Sequence, residues 1–540
     1  MKALLTLIFA FFITNYVEGY KLAILVPDMS GSQIMFNQRV AETLADAGHN
    51  VTLIRLQLLK YKDVKSKTRK DIHEIYGNGI LKGYDYEQVV QRQAKFAFDD
   101  ESIWSFLRKE KRETLANISM LLTSACEEII KQQDFLDKIR AEKYDVIFSH
   151  MYDFCPVGII HAVKAEAWVW LNSGSLMDYI ANLMGLSLPA SYAAPVMQDV
   201  GDRLGFIDRT KSILGHIISP LFFKYLSGNS QTKIFRKIMG EDFPDLVEIS
   251  RQCPLVMVNT NELYDLPRPT LNKIVNIGGI GMKPEQAKPL PKDIADKVEK
   301  TDSVVVFTFG SVANSTMMPS SWKQAFMKAF ERFPRTQIFM RYGADDLNEL
   351  KPKNVELLKW IPQVDLLHNP KTKILITHGG YNSMQEAINT ATPLFAIPLF
   401  GDQFKNARII EKHHLGRMLA KSEINEENIA SIIQNLLEDD TYQKAITRMK
   451  NMIHKKPVPP EQNLVKWTEF LAEFKNLDNL KPAGADLDFI TFYNIDVYLT
   501  FGGLFVGILL GGFYVIRKIL RMICRKLGFC SKSNEKSKKE

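Results

Sequence analysis

The chain has 540 residues and a formal net charge of +8, length enough for two ordinary domains with real cores. The stretch from Arg517 to the C-terminus carries +7 of that charge, so the remainder is close to neutral and gives no ground for a nucleic-acid partner. Five Cys are too few for a disulfide scaffold at this length, and no Cys/His spacing suggests a metal site.

In chain order, "MKALLTLIFAFFITNYVEG" pairs one Lys with an apolar run of secretory length, then small and polar residues. It reads as a signal peptide over residues 1–19. "KLAILVP" then reads as a buried strand, "FNQRVAETLADAGH" as a helix with Val40, Leu44 and Ala47 on one face and Gly48 as its stop, and "NVTLI" as the next strand. "YDVIFS", "AWVWLN", "LVMVNT" and "KIVNIG" continue a strand series. The Pro- and Lys-rich residues 282–300 read as a linker. A second series follows: "SVVVFTFGS", "TQIFMRY", "NVELLKW", "TKILITH" and "PLFAIP". The expected fold class is α/β, with two Rossmann-like, doubly wound domains over 20–281 and 301–480 facing a cleft. "LGHIISPLFFKYL", residues 214–226, fits either a core helix or a membrane-facing surface through which lipophilic acceptors enter.

Residues 497–516 hold 20 positions without a charge, enough to cross a bilayer as a helix. Acidic residues precede this run and a basic tail, 517–540, follows it, so the positive-inside rule predicts a single-pass type I protein with a lumenal body. "KSKKE" at the end resembles a dilysine signal for return to the endoplasmic reticulum, which makes that membrane the expected location. On the lumenal side Cys126, Cys155 and Cys253 allow at most one bridge, and Asn50, Asn117 and Asn314 open sequons for glycosylation, Asn50 least favourably because it starts a core strand.

In parallel sheets, ligands bind beyond the carboxyl ends of the strands. Trp360 closes "VELLKW", His378-Gly379-Gly380 closes "KILIT", and Gly310-Ser311 closes "FTF". A helix over 379–390 would put His378, Asn382 and Glu386 on one face, with Met384, Ala387, Ile388 and Ala391 opposite. Bare backbone at a helix start suits a diphosphate, a Glu two turns on suits ribose hydroxyls, and an indole suits a base. Together these make a nucleotide site. The whole segment Trp360–Gln403, with its W-x-P-Q…T-H-G-G-x-N-S…E…D-Q pattern, resembles the long signature of the UDP-glycosyltransferases, above all the animal membrane-bound group that includes the UDP-glucuronosyltransferases. The likeness extends to "F-N-x-R-V-A-E-T-L-x-x-A-G-H-x-V-T" near the N-terminus, the membrane helix and the Lys-rich tail.

The resemblance implies a GT-B fold and inverting transfer of a hexosyl group, glucosyl or glucuronosyl, from a UDP-sugar to a small lipophilic acceptor. It implies no cofactor beyond the UDP-sugar as co-substrate and no metal. It also allows homo- or hetero-oligomers with relatives. By the same resemblance Trp360 stacks on uracil and Gln363 bonds at or near the ribose. Ser311, His378, Gly379, Gly380 and Asn382 hold the diphosphate, Glu386 the ribose, and Asp402 and Gln403 the donor sugar.

One part of the family pattern is broken. Where the family has its catalytic His in "S-H-x-x-F", this chain has Gln33, and where it has the orienting acid after "D-V-x-x", this chain has His150. An amide cannot accept a proton near neutral pH. Either His150 is the base, oriented by Asp153 or Asp28, with Gln33 binding the acceptor; or the acceptors are carboxylates or amines that need no strong base; or the chain binds UDP-sugar or lipophiles without transfer.

Overall fold

The computed structural model describes residues 19–58, 68–99, 109–282, 287–310 and 313–527. The expected leader, Ser311 and the end of the basic tail lie outside them. Residues through Lys481 form one compact unit, and those from Pro482 a second.

The first unit holds two sheets in which every pairing is parallel. One runs β3-β2-β1-β4-β5-β6-β7, from β1 (Lys21–Pro27), β2 (Asn50–Gln57), β3 (His73–Asn78), β4 (Val146–His150), β5 (Trp168–Asn172), β6 (Leu255–Val258) and β7 (Ile274–Asn276). The other runs β10-β9-β8-β11-β12-β13, from β8 (Ser303–Thr308), β9 (Thr336–Arg341), β10 (Val355–Leu358), β11 (Thr372–Thr377), β12 (Leu394–Ala396) and β13 (Gly416–Met418). The central strands are continuous apolar runs because helices cover both faces: six of the seven residues of β1 are buried. Each sheet reverses its strand order once, between β1 and β4 and between β8 and β11. A crevice opens at the carboxyl ends of such a pair.

Two strands had no signal in the sequence. β3 is a polar edge strand with alternate exposure, and β13 is three residues long, so neither offers an apolar run. Part of the expected linker is also structured, because Lys292–Glu299 is a helix whose Ile294 and Val298 are buried in the core of the second sheet.

Five of the helices around these sheets bear on the site. α1 (Gly31–Asp46) follows β1 and is capped by Ser30, whose Oγ accepts from the Gln33 N–H; Gly48 ends the turn at φ +93°. α2 (Phe206–Phe223) is no core helix: Ser212 is its only buried residue, and Phe206, Ile207, Leu214, Ile218 and Leu221 are exposed. α3 (Tyr381–Thr390) and α4 (Gln403–Lys412) follow β11 and β12. α5 (Pro460–Phe474) returns to the first sheet, where Leu464, Leu471 and Ala472 share a core with Leu22, Ile24 and Val146. A disulfide joins Cys126 to Cys155, and Cys253 is free and buried.

The second unit contains α6 (Ile495–Lys526), 32 residues with a mean hydropathy of 2.1 over its most apolar window. By length and composition it fits a membrane anchor. It continues past the uncharged run into Arg517–Lys526, since neither Lys nor Arg breaks a helix.

Candidate functional site

The crevice of the second sheet is built around one imidazole. His378 leaves the end of β11, and its ring lies between Gly310, after β8, and Gly380, at the start of α3. A Cβ on Gly310 would stand 2.6 Å from the His378 Cε1, and one on Gly380 would stand 2.7 Å from it. Gly379 has φ +80°, a conformation that side chains disfavour. The glycine pair therefore serves two needs: Gly379 makes the turn and Gly380 makes room for the ring. Burial pushes the imidazole down to about 4, so His378 is neutral near pH 7. The positive character here comes from the start of α3, whose first N–H groups have no acceptor within the helix.

Beyond this turn, Glu386 is 8% exposed and both of its oxygens are engaged. Oε2 accepts from Gln363 Nε2 at 2.7 Å, and Oε1 accepts from Arg39 Nη2 at 3.0 Å. Trp360, 70% exposed, carries the Arg341 guanidinium 5.1 Å from its ring centre. Arg341 Nη1 also donates to the Gly310 carbonyl, tying the indole to the glycine turn. Asp402, at the N-terminus of α4, accepts from Asn406 Nδ2 at 3.1 Å, and burial raises its pKa. Gln403 is turned inward, where its Oε1 accepts from the Leu399 and Phe400 N–H groups.

The two halves meet along α3. Asn382 Nδ2 donates to the Ser32 carbonyl at 3.2 Å, and Asn382 Oδ1 accepts from Asn259 Nδ2 at 3.2 Å. Gln385 Nε2 donates to Asn259 and to Tyr264 Oη. The expected stripe of 382 and 386 does face the cleft, with Met384, Ala387 and Ile388 fully buried behind it. His378 belongs to the turn before the helix, which begins at Tyr381.

The crevice of the first sheet holds Gln33 and His150. Gln33 lies in the first turn of α1, and its Oε1 is buried without a partner. His150 is the last residue of β4 and is 2% exposed. Its Nδ1 accepts from the Tyr152 N–H at 3.3 Å, and its Nε2 is buried with no partner. Burial pushes it down to about 3, so the imidazole is neutral near pH 7. Neither expected orienting acid reaches it: Asp153 Oδ1 accepts from the Cys155 N–H at 2.9 Å, and Asp28 faces Arg55 at 3.6 Å. Neither Asp153 nor Asp28 therefore hydrogen-bonds His150, whose ring is held instead by the Tyr152 N–H. The group that faces Gln33 is Tyr152, whose phenol also bonds Ser173 Oγ at 2.5 Å and feels the charge of Asp402.

The family model described as "UDP-glucoronosyl and UDP-glucosyl transferase" matches residues 22–534. The chain belongs to the UDP-glycosyltransferase family. Among its relatives, ugt-47 of Caenorhabditis elegans is 29% identical over 89% of this chain and 90% of its own length. Human UDP-glucuronosyltransferase 3A2 is 27% identical over 92% of each chain. The fold is GT-B, and a UDP-glucosyltransferase from Polygonum tinctorium, solved with 3,4-dichloroaniline, superposes with a TM-score of 0.57 at 15% identity, over 85% of this chain and 99% of its own.

In this UDP-glycosyltransferase the structure gathers Trp360, Gln363, His378, Gly379, Gly380, Asn382, Glu386 and Asp402 on one side of the cleft, while Ser311 lies outside the described residues. Sequence reasoning missed Arg39, Asn259, Tyr152 and Arg341. Arg39 lies within the N-terminal family pattern, but its partner is 347 residues away, and no local spacing signals such a pair. Of the sequons, Asn314 is exposed and Asn50 is exposed at the start of β2, while Asn117 is half-buried on the helix Lys109–Ile130.

Proposed function

We propose that the enzyme transfers a glucosyl or glucuronosyl group from its UDP-sugar, with inversion, to small lipophilic acceptors whose nucleophile needs no strong base. Carboxylates and amines are the acceptor class. The observation that carries this reading is the pairing of the turn and helix around His378 and Glu386 with a first-sheet crevice that holds Gln33 and a buried His150 that neither Asp153 nor Asp28 bonds.

In the proposed reaction uracil stacks on Trp360, the ribose hydroxyls meet Glu386 and Gln363, and the diphosphate lies at Gly379, Gly380 and Asn382. Asp402 and the Gln403 amide take the donor sugar. The acceptor lone pair forms a bond to the anomeric carbon from the face opposite UDP, while the carbon–oxygen bond to UDP breaks. The electron pair leaves on the diphosphate, where the N–H groups of α3 meet the growing charge. A carboxylate brings no proton, and an amine N–H loses its proton to water after attack. Neither a metal nor a further cofactor enters the scheme.

The same reading places the enzyme in the endoplasmic reticulum membrane, type I, with its body lumenal. The Cys126–Cys155 bridge supports an oxidising compartment for the body, and the basic residues after the apolar run support a cytosolic tail. The exposed apolar face of α2 supports contact with the bilayer from which lipophilic acceptors enter.

The test is UDP release by the full chain in microsomes, with UDP-glucose and UDP-glucuronate, against phenols, carboxylates and amines. Turnover with carboxylates or amines is expected, with phenols at least tenfold slower. Faster turnover of phenols would refute the acceptor class. UDP binding with no turnover on any acceptor would favour a non-catalytic binding protein.

A further inference from the structure

We propose that Arg39 is a positioning residue for the nucleotide ribose, supplied by the first half of the molecule to a site otherwise built by the second. The inference rests on the reading that Glu386 binds the ribose hydroxyls. Arg39 projects from α1, and its Nη2 stands 3.0 Å from Glu386 Oε1, with both side chains largely removed from water (15% and 10% exposed). A carboxylate this buried requires a countercharge, and Arg39 is the cation paired with it.

The geometry decides what remains for a ligand. Each carboxylate oxygen can accept two hydrogen bonds. Arg39 takes one position on Oε1 and Gln363 takes one on Oε2. One acceptor position remains on each oxygen, a spacing matched to two neighbouring hydroxyl groups. The stem of Arg39 packs closely on the backbone of Gly281, at the end of the first half, where a Cβ would lie 3.0 Å from both the Arg39 Cβ and Cγ. Rotation of Glu386 is therefore limited from two sides, by Gln363 in its own half and by Arg39 from the other. The ribose position is complete only while the halves are together.

Calorimetry on the full chain in detergent micelles tests this by comparing UDP with 2′,3′-dideoxy-UDP. The wild type is expected to prefer UDP at least tenfold, since hydrogen bonds to a charged group are the strong ones. In Arg39→Met the preference should shrink to about threefold or less, while affinity for the dideoxy compound stays within about threefold of wild type. In turnover, KM for the UDP-sugar should rise with kcat nearly unchanged. Arg39→Lys keeps the charge but loses the planar fork, and an intermediate preference is expected. It also serves should the Met variant fail to fold. An undiminished preference for UDP in either variant, or tighter UDP binding in Arg39→Met, overturns the role of Arg39 and leaves Glu386 in place. A wild type that does not distinguish the two compounds removes the Glu386 reading, and the Arg39 inference falls with it.

Discussion

His150 and His378 each stand at the end of a central strand, and burial pushes both well below the ordinary histidine value of about 6.5. The folded chain keeps them neutral where the unfolded chain binds protons. As pH falls below about 6.5, each therefore withdraws about 1.4 kcal/mol of stability per pH unit, until about 4 for His378 and about 3 for His150. Asp153 works in the opposite direction. Burial pushes its carboxyl up to about 7, so its contribution is full below 3.8 and is lost as pH rises through 7. Replacing His150 with Gln should flatten the acid loss by about 1.4 kcal/mol per pH unit between pH 6 and 4.5, read from urea midpoints. Parallel pH dependences of variant and wild type would contradict the buried neutral imidazole. Gly380→Ala should displace the His378 ring and weaken UDP binding by about tenfold to a hundredfold. Gly343→Ala, where a Cβ meets nothing within 4 Å, is the control and should leave binding unchanged. Titration calorimetry separates the two.

At the scale of elements, apolar runs and helical periodicity located most of the sheet strands and the face of α3, because both depend on neighbours close in sequence. The polar edge strand β3 and the three-residue β13 were invisible for the same reason. α2 shows where periodicity stops being informative. Its apolar residues fit a core helix or an outward surface equally in sequence, and only the packing reveals that they point outward. If this face meets the bilayer, Leu214→Glu with Ile218→Glu should leave the melting temperature unchanged. In liposomes the same pair should raise KM for a lipophilic acceptor at least several-fold, and leave KM for a water-soluble acceptor alone. Equal effects on both acceptors would rule out an entry surface.

At the scale of the whole molecule, the body is closed by a segment from beyond both sheets. α5 places Leu464 and Leu471 in the first core, each worth about 1.5–3 kcal/mol of burial, and Lys475 meets Asp145 at 3.1 Å. A chain ended after Lys481 should fold and keep its UDP affinity. One ended after Pro459 should fail to fold, because the first sheet loses its cover. Binding measurements and proteolysis of the two truncations test this directly; a stable, UDP-binding shorter form would remove α5 from the core.

The sequence alone determined the parallel α/β architecture, the family signature of residues 360–403 and the apolar helix. Each is written in residues near one another along the chain, where periodicity, glycine placement and strand ends act locally. Tertiary structure decided the rest. It buried His150 away from Asp153, turned Gln403 inward, and brought Arg39 across 347 positions to Glu386. Those outcomes depend on which surfaces two folded halves present to each other, and no local pattern encodes that.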